Sequence, residues 1–93
     1  MVITALVLLN VEPGRVKSLA EELLAIDAVT EVYSVAGPYD LVAIARVREH
    51  DQLSDLVTEM IASRTGIVST ETLIAFRAYA KRDLEMVWDI GVD

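Results

Sequence analysis

Tyr39 and Asp40 stand directly after a Gly-Pro pair in the stretch Val35-Ala36-Gly37-Pro38-Tyr39-Asp40-Leu41. Glycine tolerates backbone angles closed to other residues and proline fixes φ, so Gly37-Pro38 marks a tight connection. A connection of this kind has no need of a phenol and a carboxylate immediately afterwards. Side by side, they offer a hydroxyl donor and an anionic acceptor. Each also has a plainer reading: Asp40 as an acceptor for turn amides, Tyr39 as a packing ring whose hydroxyl reaches water.

Other reactive chemistry is sparse. His50 is the one histidine and sits beside Asp51, with no second ligand or nucleophile to complete a metal or catalytic site. There is no cysteine, which fits a reducing cytoplasm and leaves no thiolate chemistry. Eight basic against fifteen acidic residues give a net charge of −7. A surface this acidic repels phosphate backbones and disfavours independent DNA or RNA binding. The longest apolar run, Ala5 to Leu9 extended back through Val2 and Ile3, is too short to span a bilayer and lacks signal-peptide flanks. A cytoplasmic, cofactor-free protein is the expectation.

The elements that must position the turn follow from periodicity. Val2 to Leu9 is apolar at both parities, as a strand buried on both faces would be. Glu12-Pro13-Gly14 stops it. Val16, Leu19, Ala20, Leu23 and Leu24 then recur at helical spacing, predicting a helix over Arg15 to Ala25. Val29 to Val35 and Leu41 to Val47 read as strands flanking the turn. Asp51 can cap a second helix, with Leu53, Leu56, Val57, Met60 and Ile61 as its apolar stripe and Gly66 just past its end. A fourth strand is predicted from Ile67 to about Tyr79, and a tail from Lys81 carries Trp88.

Strand-helix-strand-strand-helix-strand is the split βαβ plan: an α+β, ferredoxin-like sandwich with an antiparallel sheet of order 4-1-3-2 and both helices on one face. Residues 1–80 form the domain, and 81–93 a tail packing on it or on a partner subunit. The two strands carrying Glu31 and Glu71 are then edges, and the two apolar ones are central. Ninety-three residues make one domain with an aliphatic core. A central pair apolar on both faces leaves an apolar sheet surface opposite the helices, more than monomers usually expose. A homo-oligomer, at least a dimer with sheet against sheet, is expected.

The Gly37-Pro38-Tyr39-Asp40 stretch closely resembles the Val-x-Gly-x-Tyr-Asp signature of the effector domain, or RAM domain, of Lrp/AsnC-type transcriptional regulators. Val32 before the turn fits too, and Ile67-Val68-Ser69-Thr70-Glu71-Thr72-Leu73-Ile74 is similar to the family's fourth strand with its Thr-x-Thr. The resemblance covers about Val2 to Ala80. It implies a domain that binds a small effector, usually an amino acid, in clefts between dimers that associate further into octamer-like rings. By position, it implies a site of Gly37, Tyr39 and Asp40 from the turn with Ser69, Thr70, Glu71 and Thr72 from strand four. An α-ammonium would find a carboxylate in Asp40 or Glu71, and an α-carboxylate would find donors in turn amides and hydroxyls. The regulators carry a helix-turn-helix ahead of this domain, whereas here the chain starts at strand one. A stand-alone sensing and assembly domain that does not itself bind DNA is therefore expected, with a full-length Lrp/AsnC regulator or a metabolic enzyme as possible partner.

Two alternatives stand beside this reading. One is an oligomerisation protein without ligand. The other is a small dimeric α+β barrel enzyme, which would place acid/base groups toward a cavity between helices and sheet. The helix stripes are wholly aliphatic, and no pair of titratable residues converges by spacing, so no enzyme activity is expected.

Overall fold

A computed structural model describes residues 1–81. Strands β1 (Ile3–Val11), β2 (Val29–Ser34), β3 (Leu41–Val47) and β4 (Ile67–Ala75) form one sheet in the order β2-β3-β1-β4, every neighbouring pair antiparallel. Helix α1 (Val16–Leu24) links β1 to β2, and α2 (His50–Asp55) links β3 to β4. The expected topology is the observed one, with the two apolar strands central. The tail expected over 81–93 lies outside the described residues apart from Lys81.

Alternation in the central strands defines the two faces. Ile3, Ala5, Val7, Leu9 and Val11 of β1 and Leu41, Ala43, Ala45 and Val47 of β3 are buried in one cluster with Leu19, Leu23, Leu53, Leu56 and Ile61 from the helical segments. The residues between them, Leu6 and Leu8 on β1 and Val42 and Ile44 on β3, are half-buried on the opposite face. Register places Leu6 beside Ile44 and Leu73, and Leu8 beside Val42 and Glu71, so this open face carries an apolar centre. It is the surface that the two-sided hydrophobicity of the central strands implied.

Helix α2 departs from expectation. It begins two residues earlier, with Glu49 as N-cap and a reciprocal capping box to Gln52, instead of with Asp51 as cap. Its α-helical part ends at Asp55, and Leu56–Ile61 winds as a π-helix. The burial explains the wider turn: Leu56 and Ile61, five residues apart, are both buried, whereas Met60 at the α-helical spacing is 47% exposed. Met60 thus does not join the inward stripe as its spacing suggested. In α1, Leu24 likewise faces outward, leaving Leu19 and Leu23 as the buried residues. Strand β4 stops at Ala75, four residues short of expectation, and Phe76 and Tyr79 beyond it are exposed.

Three side chains tie α1 to the segment that enters β4. Glu22 accepts from Arg15 and from Arg64, each at 3.2 Å, and Arg15 also donates to the carbonyl of Thr65 at 2.7 Å. The hydrogen bond from Arg64, helped by Arg15, holds the Glu22 carboxyl below the ordinary glutamate range against the opposing effect of desolvation. Gly66 follows with φ +100°, and a Cβ there would lie 2.8 Å from Arg15 Nε. The positive φ favours glycine, and any side chain there would have to displace Arg15.

Candidate ligand site

The β2–β3 connection closes through the amide of Val35, which donates to the carbonyl of Asp40 at 3.1 Å. Gly37 lies at its tip with φ +132° and no atom within 4 Å of a notional Cβ, so glycine serves backbone conformation and openness there. The end of the connection is sewn to β1. The Asp40 amide donates to the Leu9 carbonyl at 2.9 Å, and Asp40 Oδ2 accepts the Val11 amide at 2.9 Å.

This second bond has a clear cause. Pairing of β1 with β3 ends at Leu9 opposite Leu41, so the Val11 N–H points past the end of the ladder. The Asp40 carboxylate supplies the acceptor that the missing strand residue would have given. One of its oxygens is therefore committed to the backbone.

Tyr39 reaches across the end of β1 to β4. Its hydroxyl donates to Glu71 Oε1, and that bond raises the phenol pKa above its ordinary value of 10, with desolvation and the carboxylate charge adding to the effect. On β4, Ser69 pairs with Asn10 and Glu71 with Leu8, which puts both on the open face of the sheet. Asn10 Nδ2 donates to Ser69 Oγ at 3.1 Å. Tyr39, Glu71, Ser69 and Asn10 thus make one polar cluster at one end of the open face.

Thr70 and Thr72 belong elsewhere. They pair with the buried Leu9 and Val7, so they point to the helix side and are half-buried there. Of the seven residues carried by resemblance, the structure joins Tyr39, Glu71 and Ser69 on one face, with Asp40 bracing the turn from behind. It puts Thr70 and Thr72 on the other face and Gly37 at the loop tip. Asn10 was not anticipated. Its signal was available: it is a side-chain amide directly after the apolar run Ala5 to Leu9, opposite the start of β4.

The cluster can accept a cationic group at Glu71, whose second oxygen has no protein donor among the described residues, and can donate from the Ser69 hydroxyl. A second tyrosine–glutamate pair, Tyr33 to Glu31 at 2.6 Å, lies on the β2 edge of the same face. Among the described residues no group of three or more His, Cys, Asp or Glu could hold a metal ion. No helix among them is long and apolar enough to cross a membrane.

Residues 4–84 match the Lrp/AsnC ligand binding domain. The chain belongs to this family. It is similar to the HTH-type transcriptional regulator FL11 of Pyrococcus furiosus, with 29% identity over 77 residues, covering 83% of this chain and 50% of the regulator. An uncharacterized HTH-type transcriptional regulator of Pyrococcus abyssi is 33% identical over 77% of this chain and 46% of its own length. The chain thus spans about half the length of the curated relatives it matches. Among solved structures, TTHA0845 from Thermus thermophilus superimposes with a TM-score of 0.79 at 50% identity, over 84% of this chain and 98% of that one. A feast or famine regulatory protein from M. tuberculosis, solved with L-methionine, gives a TM-score of 0.73 at 27% identity, over 86% of this chain and 54% of that one. The ferredoxin-like fold, expected from the order of the elements, and the kinship with transcriptional regulators, expected from the turn and strand-four residues, are both shown by these matches.

Proposed function

We propose that this protein is an oligomeric sensing domain that binds a free amino acid at the Tyr39–Glu71 end of its sheet and acts by changing its state of assembly. The observation that carries the reading is the hydrogen bond joining the β2–β3 connection to β4 through Tyr39 and Glu71. It gathers a carboxylate and hydroxyls at the two segments that resemble the family's effector-binding elements. Glu71 would take the α-ammonium, and the Ser69 hydroxyl with the amides around Gly37 would take the α-carboxylate. The relative solved with L-methionine supports an amino acid as the ligand class.

Assembly is the second half of the reading. Leu6, Leu8, Val42, Ile44 and Leu73 form an apolar centre on the open face, suited to the same face of a second copy. A ligand bound between such dimers shifts the oligomeric equilibrium only as far as it prefers one assembly over another. Thr70 and Thr72 remain candidates for ligand contacts from the helix side. The domain, with net charge −7, would work without binding DNA itself, through its own homo-oligomer or by joining a full-length Lrp/AsnC regulator or a metabolic enzyme. The similarity to transcriptional regulators favours this over enzyme activity in a cytoplasmic setting.

A thermal-shift screen against the twenty amino acids tests the proposal. A ligand at 100 times its Kd stabilises the native state by about 2.7 kcal/mol, which is readily seen. No stabilisation by any amino acid would reject free amino acids as effectors and leave an assembly role without ligand.

A further inference from the structure

At the other end of β3 lies a groove of about 870 Å³ between α1, α2 and the sheet. Its lining includes Ile26, Val47, Leu56 and Met60, an apolar floor, with Arg48 and Gln52 at the rim. Six residues of β3 separate Arg48 from the Leu41 end, so the groove is about 20 Å from the Tyr39–Glu71 cluster. Its size is within the range of small-molecule sites. The π-helical winding of Leu56–Ile61 shapes one wall: it buries Leu56 and Ile61 while leaving Met60 accessible to the groove.

The polar groups at the rim are not equally engaged. Arg64 is held by Glu22 and by the Met60 carbonyl at 2.7 Å, and Arg46 donates to Thr30 Oγ1 at 3.4 Å. The Arg48 guanidinium has no hydrogen-bond or ion-pair partner among the described residues. Gln52 is fixed in place because its Oε1 accepts the amides of Arg48 and Glu49, at 2.8 and 3.1 Å. That fixes the assignment of its amide and leaves Nε2 as a positioned donor. A free cation and a fixed amide donor above an apolar floor make a receptor for one anionic group on an aliphatic body. Asp27 and Asp55, also on the lining, set a limit on charge: they disfavour a dianion such as a phosphate monoester and favour a monoanion.

We propose that this groove is a second small-molecule site, which binds an aliphatic monocarboxylate with its carboxylate on Arg48 and Gln52 Nε2 and its hydrocarbon on Leu56 and Met60. The same chemistry is presented by a free carboxylic acid and by an aliphatic amino acid, whose ammonium would face Asp27 or Asp55. The site is independent of the Tyr39–Glu71 cluster and does not rest on the function proposed for it.

Amide-resolved NMR titration of the full chain with 4-methylpentanoate, and separately with L-leucine, tests this. The two share one carbon skeleton and differ in the ammonium. The expected result is saturable shifts at Arg48, Gln52 and Met60 that persist in Glu71→Gln. Arg48→Gln should weaken binding about tenfold, as loss of a charge-assisted hydrogen bond does, and Arg48→Lys should recover part of it. Tighter binding of leucine than of 4-methylpentanoate identifies an amino acid as the occupant, and the reverse identifies the free acid. Absence of saturable shifts at the groove with both probes at millimolar concentration overturns the proposal, as does binding unchanged by Arg48→Gln. Arg48 is exposed, so the variant's fold is not at issue.

Discussion

Asp40 Oδ2 accepts the main-chain N–H of Val11 at 2.9 Å, across 29 residues of sequence. The bond fixes the end of the β2–β3 connection against the end of β1 and so sets where Tyr39 can reach. Removing the acceptor in Asp40→Ala leaves a part-buried amide unpaired, at an expected cost of about 1–3 kcal/mol. Asp40→Asn keeps an oxygen and should lose less. Urea denaturation of the two variants measures the difference. Equal stability of Asp40→Ala and the parent would show that the bond holds nothing in place.

Gly66→Ala is expected to be the most damaging glycine substitution among the described residues. Its φ of +100° is strained for alanine, and the new Cβ would lie 2.8 Å from Arg15 Nε. Strain at such a position costs on the order of 1–3 kcal/mol, and displacing Arg15 also disturbs its bond to Glu22. Gly37→Ala carries the strain without the clash, because its surroundings are open. Thermal unfolding should rank Gly66→Ala below Gly37→Ala, and Arg15→Ala should narrow the gap between them.

The Tyr39–Glu71 bond has a titration signature. A phenol whose pKa is raised in the folded state is favoured in its neutral form there. Its contribution to stability is complete below pH 10 and is lost as pH rises through the raised value. In a Tyr33→Phe background, which removes the other tyrosine raised by a glutamate, ultraviolet titration should show Glu71→Gln returning Tyr39 toward 10. An unchanged titration would contradict the bond.

The open face gives a prediction about assembly. Leu8→Arg puts a charge at the apolar centre, opposite Val42 and Glu71, without entering the helix-side core. Sedimentation should show the parent as a dimer or larger species and the variant shifted toward monomer. A parent that is monomeric at micromolar concentration would remove the sheet-to-sheet part of the account.

Much of this was legible in the residues. The alternation of buried and half-buried positions in β1 and β3 follows from two strands apolar at both parities, and Glu31 and Glu71 marked the edges. The Gly37-Pro38 connection was legible from its residues, and Tyr39 stood out as a site candidate because a turn alone does not require a phenol. The π-helix was not legible, since Leu53, Leu56, Val57, Met60 and Ile61 satisfy helical spacing equally well at four or five residues; packing of Leu56 and Ile61 against the sheet decides between them. Nor was the division of strand four. Ser69 and Glu71 face one way and Thr70 and Thr72 the other by simple alternation, yet which pair joins Tyr39 depends on the register with Asn10 and Leu8. The Asp40 carboxylate was open between ligand and backbone until the end of the β1–β3 ladder was located.

The Tyr39–Glu71 end of the sheet is proposed to bind a free amino acid. Thermal unfolding of the parent and of Glu71→Ala, each with every one of the twenty amino acids at millimolar concentration, tests it most directly. The account predicts a clear rise in the parent's Tm with one or two amino acids and its loss in Glu71→Ala. A parent whose Tm no amino acid raises, or a rise that survives in Glu71→Ala even when Arg48→Gln removes binding at the groove, would contradict it.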